Sequence, residues 1–234
     1  MDETEKEKMF EQANAWVREA VSALKIGRHD RARELFLKVI EIAPGFADAY
    51  YNLGVICDMQ KNSADALTYY TATLKYNPDH AQCLTNLGAI HSNAGRYASA
   101  VPFFLRAIKS DPNLFQPQIN LGITYRHMEQ PDKAMEALKG ALTLEPENPY
   151  ALYLAGCAAQ ESGFHTDAGR YLKSALRIRP NYTDALIVLV DVCLEMEDPE
   201  QAVGILEAFL KTNPDNEPAK DCLRRIRSAG LIGP

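Results

Sequence analysis

The sequence predicts an all-α solenoid: helical hairpins stacked in a row, with no single central core. Three observations predict it. Six prolines, Pro44, Pro78, Pro112, Pro146, Pro180 and Pro214, stand 34 residues apart. With each proline set at place 32 of a unit, place 20 is alanine throughout: Ala32, Ala66, Ala100, Ala134, Ala168 and Ala202. Place 8 is small in five units (Ala20, Gly54, Gly88, Gly122 and Gly156, then Val190), while place 24 is large (Phe36, Tyr70, Phe104, Leu138, Leu172 and Leu206). A fixed period of this length marks an array in which each unit buries its apolar face only against its neighbours.

The units run 13–46, 47–80, 81–114, 115–148, 149–182 and 183–216. Apolar spacing predicts one helix at places 2–15 and a second at places 18–31. Gly27, Gly95 and Gly163 mark the turn between them. In two other units Pro131 and Pro199 open the second helix, where the missing N–H has no intrahelical partner to lose. The proline at place 32 ends the second helix, because the residue before a proline is pushed out of the helical region. Small residues at places 8 and 20 let the paired helices approach closely. Large ones at places 4, 7 and 24 fill the gaps around that contact. Residues 1–12 extend the first helix outward and leave Met9 and Phe10 uncovered. Residues 217–234 form a capping helix and tail. There Asn216 reads as the N-cap and Gly230 as the C-cap. Ala219, Cys222, Leu223 and Ile226 form the face expected to cover Phe209. Lys220, Arg224, Arg225 and Arg227 lie elsewhere on this helix. They are expected to stay solvated and complement its C-terminus.

These residues resemble the tetratricopeptide-repeat (TPR) pattern W-x2-L-G-x2-Y…A-x3-F…P. The first unit carries Trp16, Ala20, Ala32, Phe36 and Pro44. The third carries Leu84, Leu87, Gly88, Ala100, Phe104 and Pro112. The resemblance covers residues 13–216 without insertion or deletion. It implies a right-handed TPR superhelix of six repeats, whose places 2, 5, 6, 9, 12 and 13 line a groove. It is specific for the fold and unspecific for function.

Composition narrows the classes of function. A net charge of −6 argues against nucleic acid, which favours basic surfaces. The start, MDETEKEK, lacks the apolar core of a signal peptide. The apolar run from Ala185 to Val190 is too short to span a bilayer. A cytoplasmic protein without an integral membrane segment is expected. The five cysteines, Cys57, Cys83, Cys157, Cys193 and Cys222, show no C-x-x-C spacing and read as reduced thiols. The histidines His29, His80, His91, His127 and His165 form no metal-ligand pattern. There is no phosphate loop and no nucleophile elbow. No catalytic residue, metal or cofactor is expected.

The implied groove carries the functional expectation. Place 6 gives Asn52, Asn86 and Asn120. An amide offers both a donor and an acceptor, so it can pair with the backbone of an extended peptide whatever its sequence. The arrangement resembles the asparagine ladder of TPR arrays such as that of O-GlcNAc transferase. Place 5 adds Val17, Tyr51, Thr85, Ile119 and Tyr153. Place 9 adds Val21, Val55, Ala89, Ile123 and Cys157. Places 12 and 13 contribute Arg126, Asn93 and His127, with Arg126 and His127 the main positive charge. Tyr150 is large enough to reach a ligand as well. The carboxylate clamp of chaperone-binding TPR domains does not fit. Only an asparagine matches it, whether the frame starts at Val17 and Val21 or at Tyr51 and Val55. The reading is a non-catalytic adaptor that binds extended polypeptide. The alternatives are a self-assembling scaffold, of the magnetosome-associated or pilus-assembly TPR type, joined through residues 1–12, and a targeting module for a separate enzyme.

Overall fold

A computed structural model describes residues 3–230. Met1, Asp2 and the tail at 231–234 lie outside the described residues. The described residues form thirteen helices and no strand. The chain divides into two compact units, 1–112 and 113–234. The first unit holds α1 (Glu3–Lys25), α2 (His29–Ile42), α3 (Ala47–Met59), α4 (Ser63–Tyr76), α5 (Ala81–Asn93) and α6 (Tyr97–Ser110). The second holds α7 (Phe115–His127), α8 (Pro131–Leu144), α9 (Pro149–Glu161), α10 (His165–Ile178), α11 (Thr183–Glu195), α12 (Pro199–Thr212) and α13 (Glu217–Ser228). Odd- and even-numbered helices pair as hairpins, and within each unit every second helix also packs on the next first helix. This is an all-α solenoid. Among the described residues no helix is long and apolar enough to cross a membrane.

The helices are displaced slightly from the expected spans. Apart from α1, which begins at Glu3, first helices fill places 1–13 and second helices places 17–30. The place-31 residue, next to the proline, is only the C-cap. At Ala43, Asn77, Asp111, Glu145, Arg179 and Asn213 its φ lies between −124° and −142°. Its N–H still bonds to the carbonyl four residues back, so the helix ends without an abrupt break.

The turn is more uniform than its glycines suggest. Place 15 takes a positive φ in all six hairpins: Gly27, Gly95 and Gly163 at 72–77°, and Lys61, Glu129 and Glu197 at 56–59°. The place-16 N–H bonds to the place-11 carbonyl, and place 15 bonds to place 12. That pair of bonds is the Schellman motif, which satisfies the last carbonyls of the first helix. Here the hydrogen-bonded turn holds even lysine and glutamate in a region that disfavours a Cβ.

Packing follows the repeat. All six place-20 alanines and all six place-24 side chains are fully buried. A Cβ added at Gly54 would lie 2.5 Å from the Tyr70 ring, and one at Gly88 would lie 2.6 Å from Phe104. In these hairpins the glycine therefore sets the distance at which the first helix rests on its partner. Burying a side chain of this size contributes about 1.5–3 kcal/mol. At the end of the second unit α13 places Ala219 and Ile226 against Leu206 and Phe209. Asn216 caps α13 by accepting the Ala219 N–H at 3.0 Å.

Candidate functional site

In the first unit the first-helix face carries two clefts along α3 and α5. One, of about 520 Å³, includes Val17, Val21, Tyr51, Asn52 and Gln82 in its lining. The other, of about 640 Å³, includes Val55, Asp58, Tyr70, Asn86, Ala89 and Asn93. His80 stands at the first cleft. Its Nδ1 accepts the Cys83 N–H at 3.2 Å and so caps α5. The proton therefore sits on Nε2, which faces Asp48 Oδ1 at 3.3 Å. The bond from His80 holds the Asp48 carboxyl below its usual range, against the opposing effect of burial. Tyr51 packs on the His80 ring with centroids 4.6 Å apart.

Asn86 is already engaged. Its Nδ2 donates to the Tyr70 hydroxyl at 3.0 Å, and that hydroxyl donates to Asp58 Oδ2 at 2.8 Å. Burial, and then the Asp58 carboxylate, push the Tyr70 phenol up, so it stays protonated and keeps donating. Burial also raises Tyr51, partly countered by a bond from Asn86. Asn52 turns its Nδ2 back to the Asp48 carbonyl at 2.7 Å on its own helix.

In the second unit a cleft of about 400 Å³ is lined by Ile123, Arg126, His127, Tyr150, Tyr153 and Glu161, together with Leu154. Tyr153 lies 5.2 Å from the Tyr182 ring and 6.5 Å from that of Tyr150. Asn120 accepts from Gln116 Nε2 at 2.9 Å.

Several expectations need correction. Thr85 is buried and gives its hydroxyl to the Ala81 carbonyl at 2.8 Å. Ile119 is buried in the cluster around Leu138. Place 5 of these helices therefore packs inward, and neither side chain is presented to a ligand. Arg126 is not a free cation. It forms a two-pronged bond to Glu161, with Nη2 at 2.6 Å and Nε at 3.0 Å from Oε1. Partial burial works against its charge, and the Glu161 hydrogen bonds, together with the electrostatic pull of Cys157, Glu161 and Tyr153, more than offset that.

The partners Asp58, Tyr70, His80 and Glu161 escaped the reading of the sequence. A signal existed for two of them. Tyr70 is the one hydroxyl among six place-24 residues, and a buried hydroxyl needs a partner. Glu161 follows Arg126 by 35 residues, and the same step joins Gln160 to Glu195 at 2.9 Å. Among the described residues no group of His, Cys, Asp and Glu is set to hold a metal ion.

Stacked hairpins with clefts along their first helices define a repeat scaffold built for contact with other proteins. Models of the tetratricopeptide repeat match residues 17–71, 60–114, 119–183 and 159–226, and the chain belongs to that family. It is a protein-interaction module of the TPR class. Over 96 residues, 40% of this chain, it is 29% identical to mouse interferon-induced protein with tetratricopeptide repeats 3. The matched stretch is 24% of that relative's length. The fold is similar to that of PilF from Pseudomonas aeruginosa, at 20% identity and a TM-score of 0.76, covering 93% of this chain and 99% of that one. It is also similar to YrrB, described as a TPR protein with an unusual peptide-binding site. There the identity is 20% and the TM-score 0.64, over 77% of this chain and 93% of YrrB.

Proposed function

We propose that the protein is a non-catalytic, cytoplasmic adaptor that holds extended polypeptide against the first-helix faces of its units. The observation that carries this reading is the pair of clefts along α3 and α5, lined by Asn52 in one and by Asn86 and Asn93 in the other. A thirteen-residue helix is about 20 Å long, which about six extended residues can cover. Asn52 retains its Oδ1 and Asn120 its Nδ2 for a peptide backbone. Asn86 keeps Oδ1, while its amino group supports Tyr70. The peptide-binding site described for YrrB adds support for this class of ligand. Buried, unpaired Cys57, Cys83, Cys157 and Cys193 suit a reducing compartment.

The test is affinity for labelled, unstructured peptides of unrelated sequence. Asn52→Ala and Asn120→Ala are each expected to weaken binding about 2- to 12-fold, the net worth of one hydrogen bond. The loss should be similar from peptide to peptide, since amides read backbone. Undiminished binding by both variants, or no peptide binding by the parent, rejects the reading. Asn86→Ala is unsuitable alone, because it also strips a partner from the buried Tyr70 hydroxyl.

A second reading, self-assembly, rests on Phe10, which is 60% exposed although its ring lies 6.4 Å from that of Phe46. Removing residues 1–12 should then convert an oligomer to a monomer with unchanged helicity per residue. Light scattering at two concentrations checks this, and an unaltered mass rejects it.

A further inference from the structure

Residue 169 breaks the pattern of the second helices. The equivalent places hold Arg33, Leu67, Val101, Met135 and Val203. At Gly169 the space is open: a Cβ there would come no nearer than 3.9 Å to another group, Leu189 Cδ1. Glycine inside a helix costs about 0.5–1 kcal/mol relative to alanine. Here the missing side chain opens a groove of about 560 Å³ beside α10 and α11. Buried Leu189 and Val192 lie beneath its floor, and Met196, 51% exposed, gives it an apolar rim. Its α10 wall carries Arg170, Lys173 and Arg177, spaced three and four residues apart on one helix face. Three cations and no carboxylate line this groove, in a chain whose net charge is −6.

We propose that this groove docks an acidic, amphipathic helical segment of a partner protein. An apolar side chain of the segment enters the gap over Gly169, and flanking carboxylates meet Lys173 and Arg177. Arg170 is paired with Asp167 at 2.7 Å and Arg177 with Glu147 at 3.6 Å. Both arginines are largely exposed, and pairs of this kind contribute little, so incoming carboxylates exchange with them at small cost. A bare polyanion would gain nothing from the apolar lining, and a neutral apolar helix nothing from the cations. The groove is formed mainly by the second helix of its hairpin, so it is separate from the first-helix clefts proposed to hold extended polypeptide.

Fluorescence anisotropy on the full chain tests the proposal with three synthetic peptides. The first is helical, with leucines on one face and glutamates beside them. The second replaces each glutamate by lysine, and the third replaces each leucine by glutamate. Only the first is expected to bind saturably. Gly169→Met restores a side chain like that of Met135 and should weaken this binding about tenfold or more, while thermal stability stays equal to or above the parent's. Lys173→Glu should weaken it similarly, whereas Asn52→Ala and Asn120→Ala leave it unchanged. The proposal is overturned if the first peptide does not bind, if the second or third binds equally well, or if Gly169→Met binds like the parent. It is also overturned, in favour of a second copy of this chain, if the protein self-associates and Gly169→Met abolishes that association.

Discussion

Leucine in place of Gly122 is expected to destabilise the α7/α8 hairpin by about 2–4 kcal/mol. Gly122 is buried at the crossing of the two helices. A Cβ there would already stand 2.7 Å from Leu138 Cγ and 2.8 Å from its Cδ2. Leu138 is fully buried, so the added side chain has to force α7 and α8 apart or drive Leu138 off its rotamer. Either change disturbs the cluster that includes Ile119, Ala134 and Ala141. The gain in helix propensity on replacing glycine, about 0.8–1 kcal/mol, is smaller than this cost. Gly204 provides the contrast. It lies on the exposed side of α12 with nothing within 4 Å of a Cβ position, so Gly204→Leu should leave stability equal or slightly higher. Urea unfolding followed by helical ellipticity compares the two. Equal midpoints for Gly122→Leu and the parent would show that the close approach does not govern packing.

That contact was legible in the sequence because it is written five times, with only Val190 departing from it. A small residue at place 8 and a large one at place 24 recur with the period, and the repetition separates the packing requirement from chance. Where a feature depends on one partner in one hairpin, the period says nothing. Asn52, Asn86 and Asn120 share a register but not a bonding pattern. Asn86 answers to the hydroxyl that Tyr70 brings to a place held elsewhere by phenylalanine or leucine. Arg126 looked like an open cation until Glu161, one residue past its register in the next hairpin, took both prongs of its guanidinium.

Backbone conformation was legible only where a residue advertises it. Gly27, Gly95 and Gly163 announced a turn, but its left-handed residue is equally Lys61, Glu129 and Glu197 in the other hairpins, which carry no sequence signature. Their conformation is imposed by the two Schellman hydrogen bonds rather than by intrinsic preference. Gly169 was equally visible in the sequence. Its meaning depends on what surrounds the absent side chain, which a list of residues does not contain.

Removing residues 217–234 is expected to unfold the end of the second unit locally. In the intact protein α13 buries Ile226 to 3% exposure and, with Ala219, packs in one cluster with Leu206, Phe209, Val190 and Cys193. Phe209 stands where α6, α8 and α10 have Ala107, Ala141 and Ala175, and its ring needs the cover that α13 supplies. Side chains of this size contribute about 1.5–3 kcal/mol each when buried, so losing Ile226 and exposing Phe209 costs the α11/α12 hairpin about 3–6 kcal/mol. The Asn216 side chain, which also donates to Thr183 Oγ1 at 2.7 Å, would lose the helix it caps. Amide exchange in α11 and α12 should accelerate strongly while α7 and α8 keep most of their protection, as expected when stability is distributed along stacked hairpins. Ile226→Glu tests the same contact at full length. It deletes the apolar anchor and sets a carboxylate against Phe209, so α13 should undock with a similar exchange pattern and the protein should become more prone to aggregate. If both variants keep the parent's protection in α11 and α12 and stay monodisperse, α13 does not cap the array, and the stability of its last hairpin has to come from α9 and α10 alone.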